Sequence, residues 1–363
     1  ADAGGSLTGD YLAGRRRVAE PRPARPPESD TPIIGIRGAR AHNLKGLDCD
    51  IPLGRLVVVT GVSGSGKSTL VQEVLFNHAA KTKGHPEGAP GDCEAITGLD
   101  AIDDVLLLDQ SPIGRTSRSN PASFVGALDP LRKLFAAQPL ARERGYKAGH
   151  FSFNSGPGRC PTCAGSGFEH VEMQFLSDVY LRCPDCNGRR YRNSVLEVHL
   201  PGGAEGLSIA DVLDLTASEA LAAFADQPDL TRALQPLCDV GLEYLRLGQP
   251  VPTLSGGEAQ RLKLAGHLAK SGRKRRGAKG LLFLLDEPTT GLHFADIATL
   301  LGAFRRLLTA GHSLLVSEHN LDLIRAADWL IDLGPEGGDG GGELVCCGTP
   351  EQVAGCAESH TGR

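Results

Sequence analysis

The residues of this 363-residue chain whose types and spacing suit chemistry begin with GVSGSGKS at 61–68. Gly61, Gly66, Lys67 and Ser68 stand at the intervals of a phosphate-cradling loop, between the β-rich run LVVVT and a helical pattern, as such a loop requires. Its glycines let the N–H groups of Gly61, Ser63, Gly64, Ser65 and Gly66 turn onto phosphate oxygens. The helix starting near Lys67 aims its positive end at the same anion. Lys67 is expected on the β- and γ-phosphates of ATP, with Ser68 on Mg²⁺ and Thr69 beside it.

Downstream, LLFLLDEP puts two carboxylates at the end of a buried strand, where open α/β sheets bind ligands. Asp286 is expected to hold Mg²⁺ through water and Glu287 to act as general base on the attacking water. LSGGEAQRLKLA at 254–265 opens a helix on Ser255, Gly256 and Gly257, a second anion-binding helix start. The combination of loop, Asp-Glu strand and Ser-Gly-Gly helix matches the ABC ATPases. On that likeness Gln110 takes the place of the Q-loop glutamine, His319 that of the switch histidine sensing γ-phosphate, and GLHFAD at 291–296 that of the D-loop. In such ATPases the signature helix of one unit closes over ATP held by another, so this chain is expected to need a second ABC unit.

Cys160-x2-Cys163 and Cys183-x2-Cys186 are separated by nineteen residues, a spacing suited to a four-thiolate zinc site. Four protein ligands make such zinc structural. Gly165, Gly167 and Gly188 supply the freedom its turns need. Cysteines 49, 93, 238, 346, 347 and 356 show no ligand spacing. Residues 141–192 hold eight Lys or Arg against five Asp or Glu, among Phe151, Phe153, Phe168, Phe175, Tyr180 and Tyr191, a composition suited to DNA. VEMQFLSDVYL reads as a hairpin able to lie on a duplex. Arg115, Arg118, Arg182, Arg189 and Arg190 are candidates for phosphates, each equally readable as solvated surface. RKRR at 273–276 reads as a solvated loop.

The elements that must position these residues alternate strand and helix, which favours a mostly parallel sheet with helices on its faces. Expected segments are a linker (1–30), the first part of the ATP-binding core (31–140), an inserted four-cysteine zinc and DNA-binding module (141–200), a helical signature subdomain (201–270), the second part of the core (271–354) and a tail (355–363). The expected fold class is α/β, an ABC-type P-loop ATPase with a mixed or parallel sheet. No apolar run approaches the ~18 residues of a membrane span. A net charge of −5 excludes bulk electrostatic adhesion to nucleic acid, leaving local patches. Ten cysteines without an apolar leader point to a reducing cytoplasm.

A P-loop ATPase interrupted by this cysteine module resembles UvrA, the damage-sensing subunit of the bacterial UvrABC excinuclease. DQSPIGRTSRSNP, GRCPTCAGSG, CPDCNGRRY, DVGLEYLRLGQ, TLSGGEAQR and LDEPTTGLHFADI carry the likeness, which covers roughly residues 31 to 354. It implies the second ATPase half of that family, binding double-stranded DNA in nucleotide excision repair, with ATP, Mg²⁺ and structural zinc. The family's docking region for UvrB belongs to the other half, so contact with UvrB by this chain alone is not expected. A UvrA-like paralogue serving drug tolerance fits the same motifs. An ABC transporter subunit would lack the cysteine module.

Overall fold

The computed structural model describes residues 6–19, 23–111, 113, 118–171, 179–201, 206–271 and 279–363. They fall into two compact units, Ala1–Gln110 with Arg273–Arg363, and Ser111–Gly272. Residues 111–140, expected with the ATP-binding core, belong to the second unit. Arg115, Phe175 and the basic run at 273–276 lie outside the described residues.

The described strands, in chain order, are β1 (Ile33–Ala39), β2 (Leu47–Pro52), β3 (Leu56–Gly61), β4 (Ala95–Thr97), β5 (Asp104–Leu108), β6 (Phe168–Val171), β7 (Val179–Arg182), β8 (Leu281–Asp286), β9 (Ser313–Ser317), β10 (Trp329–Gly334) and β11 (Glu343–Gly348). In the first unit, six of them form a sheet in the order β11-β10-β3-β9-β8-β5. All neighbours are parallel except the β10–β11 edge pair. β3 is buried along its whole length, consistent with its unbroken apolar run. A separate antiparallel sheet, β2-β1-β4, completes the unit.

The helix that follows the phosphate loop fills the core between these sheets, with Leu70, Val71, Val74 and Leu75 packed among Ile34, Ile36, Val57, Val59, Leu282 and Leu284. Thr69–Phe76 is wound as a π-helix, and Asn77 N–H donates to Gln72 O five residues back. Asn77–Lys83 continues as an α-helix and ends on left-handed Gly84.

The two termini are more ordered than their sequences suggest. The expected linker contains a helix, Leu7–Leu12, capped by the Ser6 side chain, and Arg25 pairs with both oxygens of buried Asp328 at 2.9 and 3.1 Å. In the expected tail, Ser359 is fully buried and its hydroxyl donates to Asp332.

In the second unit, Ser208 and Thr216 cap the helices Ile209–Asp214 and Ala217–Ala223 through capping boxes with Asp211 and Glu219. The helix Pro228–Asp239 packs against Gly256–Ser271. β6 and β7 form an antiparallel ribbon from Phe168↔Arg182 to Val171↔Val179. The tip of the hairpin read from the sequence, 172–178, lies outside the described residues. No helix of the described residues is long and apolar enough to cross a membrane.

Candidate nucleotide site and metal centre

The loop at 61–68 leaves the carboxyl end of β3, beside β9 and one strand from β8. Gly61 has φ 130°, and a Cβ there would lie 2.1 Å from Leu333 O, so no other residue fits this turn. Asn43 braces the loop tip, donating from Nδ2 to Gly64 O at 2.9 Å and to Gly338 O at 3.1 Å. Lys67 Nζ donates to the carbonyls of Gly61 and Val62, each at 2.9 Å. Burial pushes the Lys67 ammonium below its ordinary value, while Glu287, Asp286 and Asp332 pull it back up. The buried Ser65 hydroxyl has no hydrogen-bond partner, a donor suited to a phosphate oxygen. Ser63 and Ser68 are exposed, whereas Gly66 and Lys67 are buried.

Asp286 ends β8 and faces the loop helix directly. Its two oxygens accept from Ser317 Oγ and from Gln72 Nε2, the latter at 2.9 Å. Gln72 follows Ser68 by four residues, so one contact joins the helix carrying the candidate Mg²⁺ hydroxyl to the strand carrying the candidate Mg²⁺ carboxylate. Glu287, next in the chain, is left-handed with φ 42°. Its Oε1 lies 3.4 Å from His319 Nε2, and its carbonyl accepts from Gln110 Nε2 at 3.3 Å. Gln110, Asp286, Glu287 and His319, named from three separate segments, are therefore joined at one end of the sheet, and Lys67 from a fourth feels the charge of Glu287 and Asp286. Ser255, Gly256 and Gly257 belong to the other unit.

Glu318 was passed over in the sequence. It is buried, and Oε1 accepts from both the N–H and the hydroxyl of Thr289, while Oε2 accepts from the N–H groups of His319 (2.6 Å) and Asn320 (2.9 Å). One carboxylate thus fixes the segments after β8 and β9 together, a charge-assisted use of every lone-pair direction. Its neighbour His319 was the only local signal.

In the second unit the signature helix begins with a reciprocal cap. Ser255 N–H and Oγ donate to Glu258 Oε2 at 2.8 and 3.0 Å, and Glu258 N–H donates to Ser255 Oγ. Tyr244 Oη donates to Glu258 Oε1 at 2.8 Å. Ser-x-x-Glu is a capping-box pattern, so Glu258 was findable from the sequence.

The four cysteines form one buried cluster whose sulfurs all lie within 4.8 Å of one another. Cys160 and Cys183 Sγ are 4.0 Å apart, Cys163 and Cys186 Sγ 3.7 Å. Tetrahedral zinc with Zn–S near 2.3 Å asks for sulfurs about 3.8 Å apart, so the donor set fits. The two knuckles repeat the same backbone: Ala164 and Gly165 after one pair, Asn187 and Gly188 after the other, are all left-handed. Gly167 N–H donates to Cys163 Sγ at 3.3 Å.

Several residues expected toward DNA turn inward instead. Arg190 is buried, donates from Nη2 to Gly248 O at 2.9 Å and stacks 5.0 Å over Phe153. Desolvation lowers its affinity for the proton. Phe151, Phe153 and Tyr191 form the module's core, with Tyr191 Oη donating to Phe151 O. Burying aromatic area outweighs displaying it in so small a module. Arg182 remains exposed, Arg118 half-buried, and Arg189 pairs with Asp211 at 2.7 Å. Arg182, Arg189 and Arg246 line a cleft of about 490 Å³.

No protein-family model matches the chain. It is 54% identical over 96% of its length to the UvrABC system protein A of Thermus thermophilus, of which it covers 36%. It is 51% identical over 99% of its length to that of Micrococcus luteus, covering 35%. UvrA2 from Deinococcus radiodurans superposes with a TM-score of 0.86 at 46% identity, over 98% of this chain and 42% of that one. The chain spans about a third of the length of the curated relatives it matches.

Proposed function

We propose that this chain, a UvrA-type sequence corresponding to one segment of longer proteins, is an ABC ATPase that hydrolyses ATP to time its hold on duplex DNA. The observation carrying this reading is the linkage of Glu287 to His319 and Gln110 at the mouth of the 61–68 loop. The loop N–H groups and Lys67 bind and orient the phosphates, with Lys67 exchanging its bonds to Gly61 and Val62 for phosphate oxygens. Ser68 and Asp286 would hold Mg²⁺, which would supply neutralisation of charge on the phosphates. Glu287 polarises the attacking water, His319 senses the γ-phosphate beside it, and Gln110 ties the loop after β5 to the same point. Ser255, Gly256 and Gly257 serve the nucleotide of a second ABC unit. Cys160, Cys163, Cys183 and Cys186 would hold structural zinc, which would keep the β6–β7 ribbon on a rigid base.

Contact with DNA runs through phosphates and does not read sequence, with exposed Arg182 and half-buried Arg118 as the remaining candidates. Lesions are sensed through altered duplex shape or deformability, UvrB is loaded by the assembled protein, and the setting is the cytoplasm of a cell carrying out nucleotide excision repair. Strand cutting is left to other subunits. The deciding experiment measures binding of undamaged and bulky-adduct duplexes by this chain and by Glu287→Gln, with and without ATP. A preference for the adduct that changes with nucleotide state supports the reading. Equal affinity in every state would leave the ATPase alone, the outcome also expected of a drug-tolerance paralogue that does not survey DNA.

A further inference from the structure

Glu287 holds a left-handed backbone that a side chain disfavours, and such residues persist only where their surroundings over-determine them. From Glu287 the chain runs through a hydrogen-bonded turn: Thr290 N–H donates to Glu287 O at 3.1 Å and Leu292 N–H to Thr289 O at 3.0 Å. It ends on His293, which caps the helix Phe294–Thr309. The near end of this segment is pinned by Glu318 at Thr289.

The far end is pinned by the N-terminal helix Leu7–Leu12. His293 Nε2 lies 2.9 Å from Thr8 Oγ1, and the Tyr11 ring stacks on Phe294 at 5.4 Å and meets His293 edge-on at 5.9 Å. His293 Nδ1 accepts from Ala295 N–H, so the ring proton sits on Nε2, which donates to Thr8. Both ring nitrogens of His293 are thereby engaged, one of them by a residue nearly three hundred positions earlier in the chain.

We infer that Thr8 and Tyr11 are positioning residues for Glu287, acting through His293 and Phe294 to hold segment 287–293; the inference rests on the proposed ATP hydrolysis. Neither residue touches the reacting atoms. Losing the clasp frees one end of a strained segment, which lowers the fraction of time Glu287 is aligned without altering the loop that binds ATP.

The test compares Tyr11→Ala, Tyr11→Phe and Thr8→Val in the whole chain by hydrogen–deuterium exchange across 288–297 and by steady-state ATP turnover. Tyr11→Ala should raise early exchange there about threefold or more and lower kcat about fivefold with KM for ATP unchanged. Tyr11→Phe, which keeps the ring, should match wild type, and Thr8→Val should fall between. Unchanged exchange in Tyr11→Ala would overturn the clasp, and raised exchange with unchanged kcat would overturn its role in positioning. A loss of ATP affinity as large as the fall in kcat would also overturn it. Should the wild-type chain turn over no ATP even when a second ABC unit is supplied, the hydrolysis reading fails, and the exchange comparison still decides whether the N-terminal helix holds this segment. Thr8→Val supplies the same comparison if Tyr11→Ala does not fold.

Discussion

His319 Nε2 lies 3.4 Å from Glu287 Oε1, although the two are 32 positions apart in the sequence. The proximity follows from strand register: Asp286 on β8 pairs with Ser317 on β9, so the residues just beyond each strand emerge side by side. Glu287→Gln keeps the shape and removes the proposed base. Single-turnover hydrolysis should slow by about 10²–10⁴-fold, while ATP affinity stays within a few-fold of wild type. An equal loss of affinity would assign Glu287 to binding instead.

Buried Asp332 accepts hydrogen bonds from the hydroxyls of Thr60 (2.6 Å), Ser359 (2.6 Å) and Thr361 (2.8 Å), tying the strand before the 61–68 loop to the residues near 360. Asp332→Ala takes away the acceptor of the buried Thr60 and Ser359 hydroxyl hydrogens and should cost about 1–3 kcal/mol. Urea denaturation would register this as a lowered midpoint. A Ser359→Ala, Asp332→Ala double variant no worse than Asp332→Ala alone would show that the two act as one unit.

Zinc content should be one ion per chain, lost in Cys163→Ser. Because binding energies of structural zinc run to roughly 10–16 kcal/mol, its removal by chelator should expose the module wholesale. Limited proteolysis would then cut within 151–192 first. A chelated chain as resistant as the metal-loaded one would exclude a structural role.

Burial pushes the Glu258 carboxyl up, but the Ser255 N–H and hydroxyl and the Tyr244 hydroxyl together hold it below its usual 4.5. A depressed folded value means stability that is complete above that usual value and is lost as pH falls through the lower one. The gap in melting temperature between wild type and Glu258→Gln should therefore be widest near neutrality and narrow as pH falls below 4.5. A gap independent of pH would mean that the cap works without the charge.

The parts of this site legible in the sequence are those whose chemistry is local. Gly61 to Ser68 and the paired cysteines carry their geometry in consecutive residues, so spacing alone exposes them. Gln72 does not. It reaches Asp286 from a π-wound turn, where the usual 3.6-residue arithmetic misplaces every side chain after Ser68. Asn43 and Glu318 are invisible for another reason: each braces backbone brought near only by the folded sheet. The inward turn of Arg190 was hidden because a basic residue beside zinc knuckles reads the same whether it faces solvent or stacks on Phe153.

The order β11-β10-β3-β9-β8-β5 has a consequence for synthesis. β3, which launches the phosphate loop, has both its hydrogen-bonded neighbours, β9 and β10, encoded more than 250 residues later. A ribosome adding ~5–20 residues per second leaves that apolar strand without partners for about 13–50 seconds. Ser111–Gly272 is continuous in the chain and meets no such delay. The nascent polypeptide therefore completes the unit holding the four cysteines first and carries an unpaired, aggregation-prone VVVT strand until β9 and β10 have been made, which makes the strand before the 61–68 loop the one most dependent on chaperone cover.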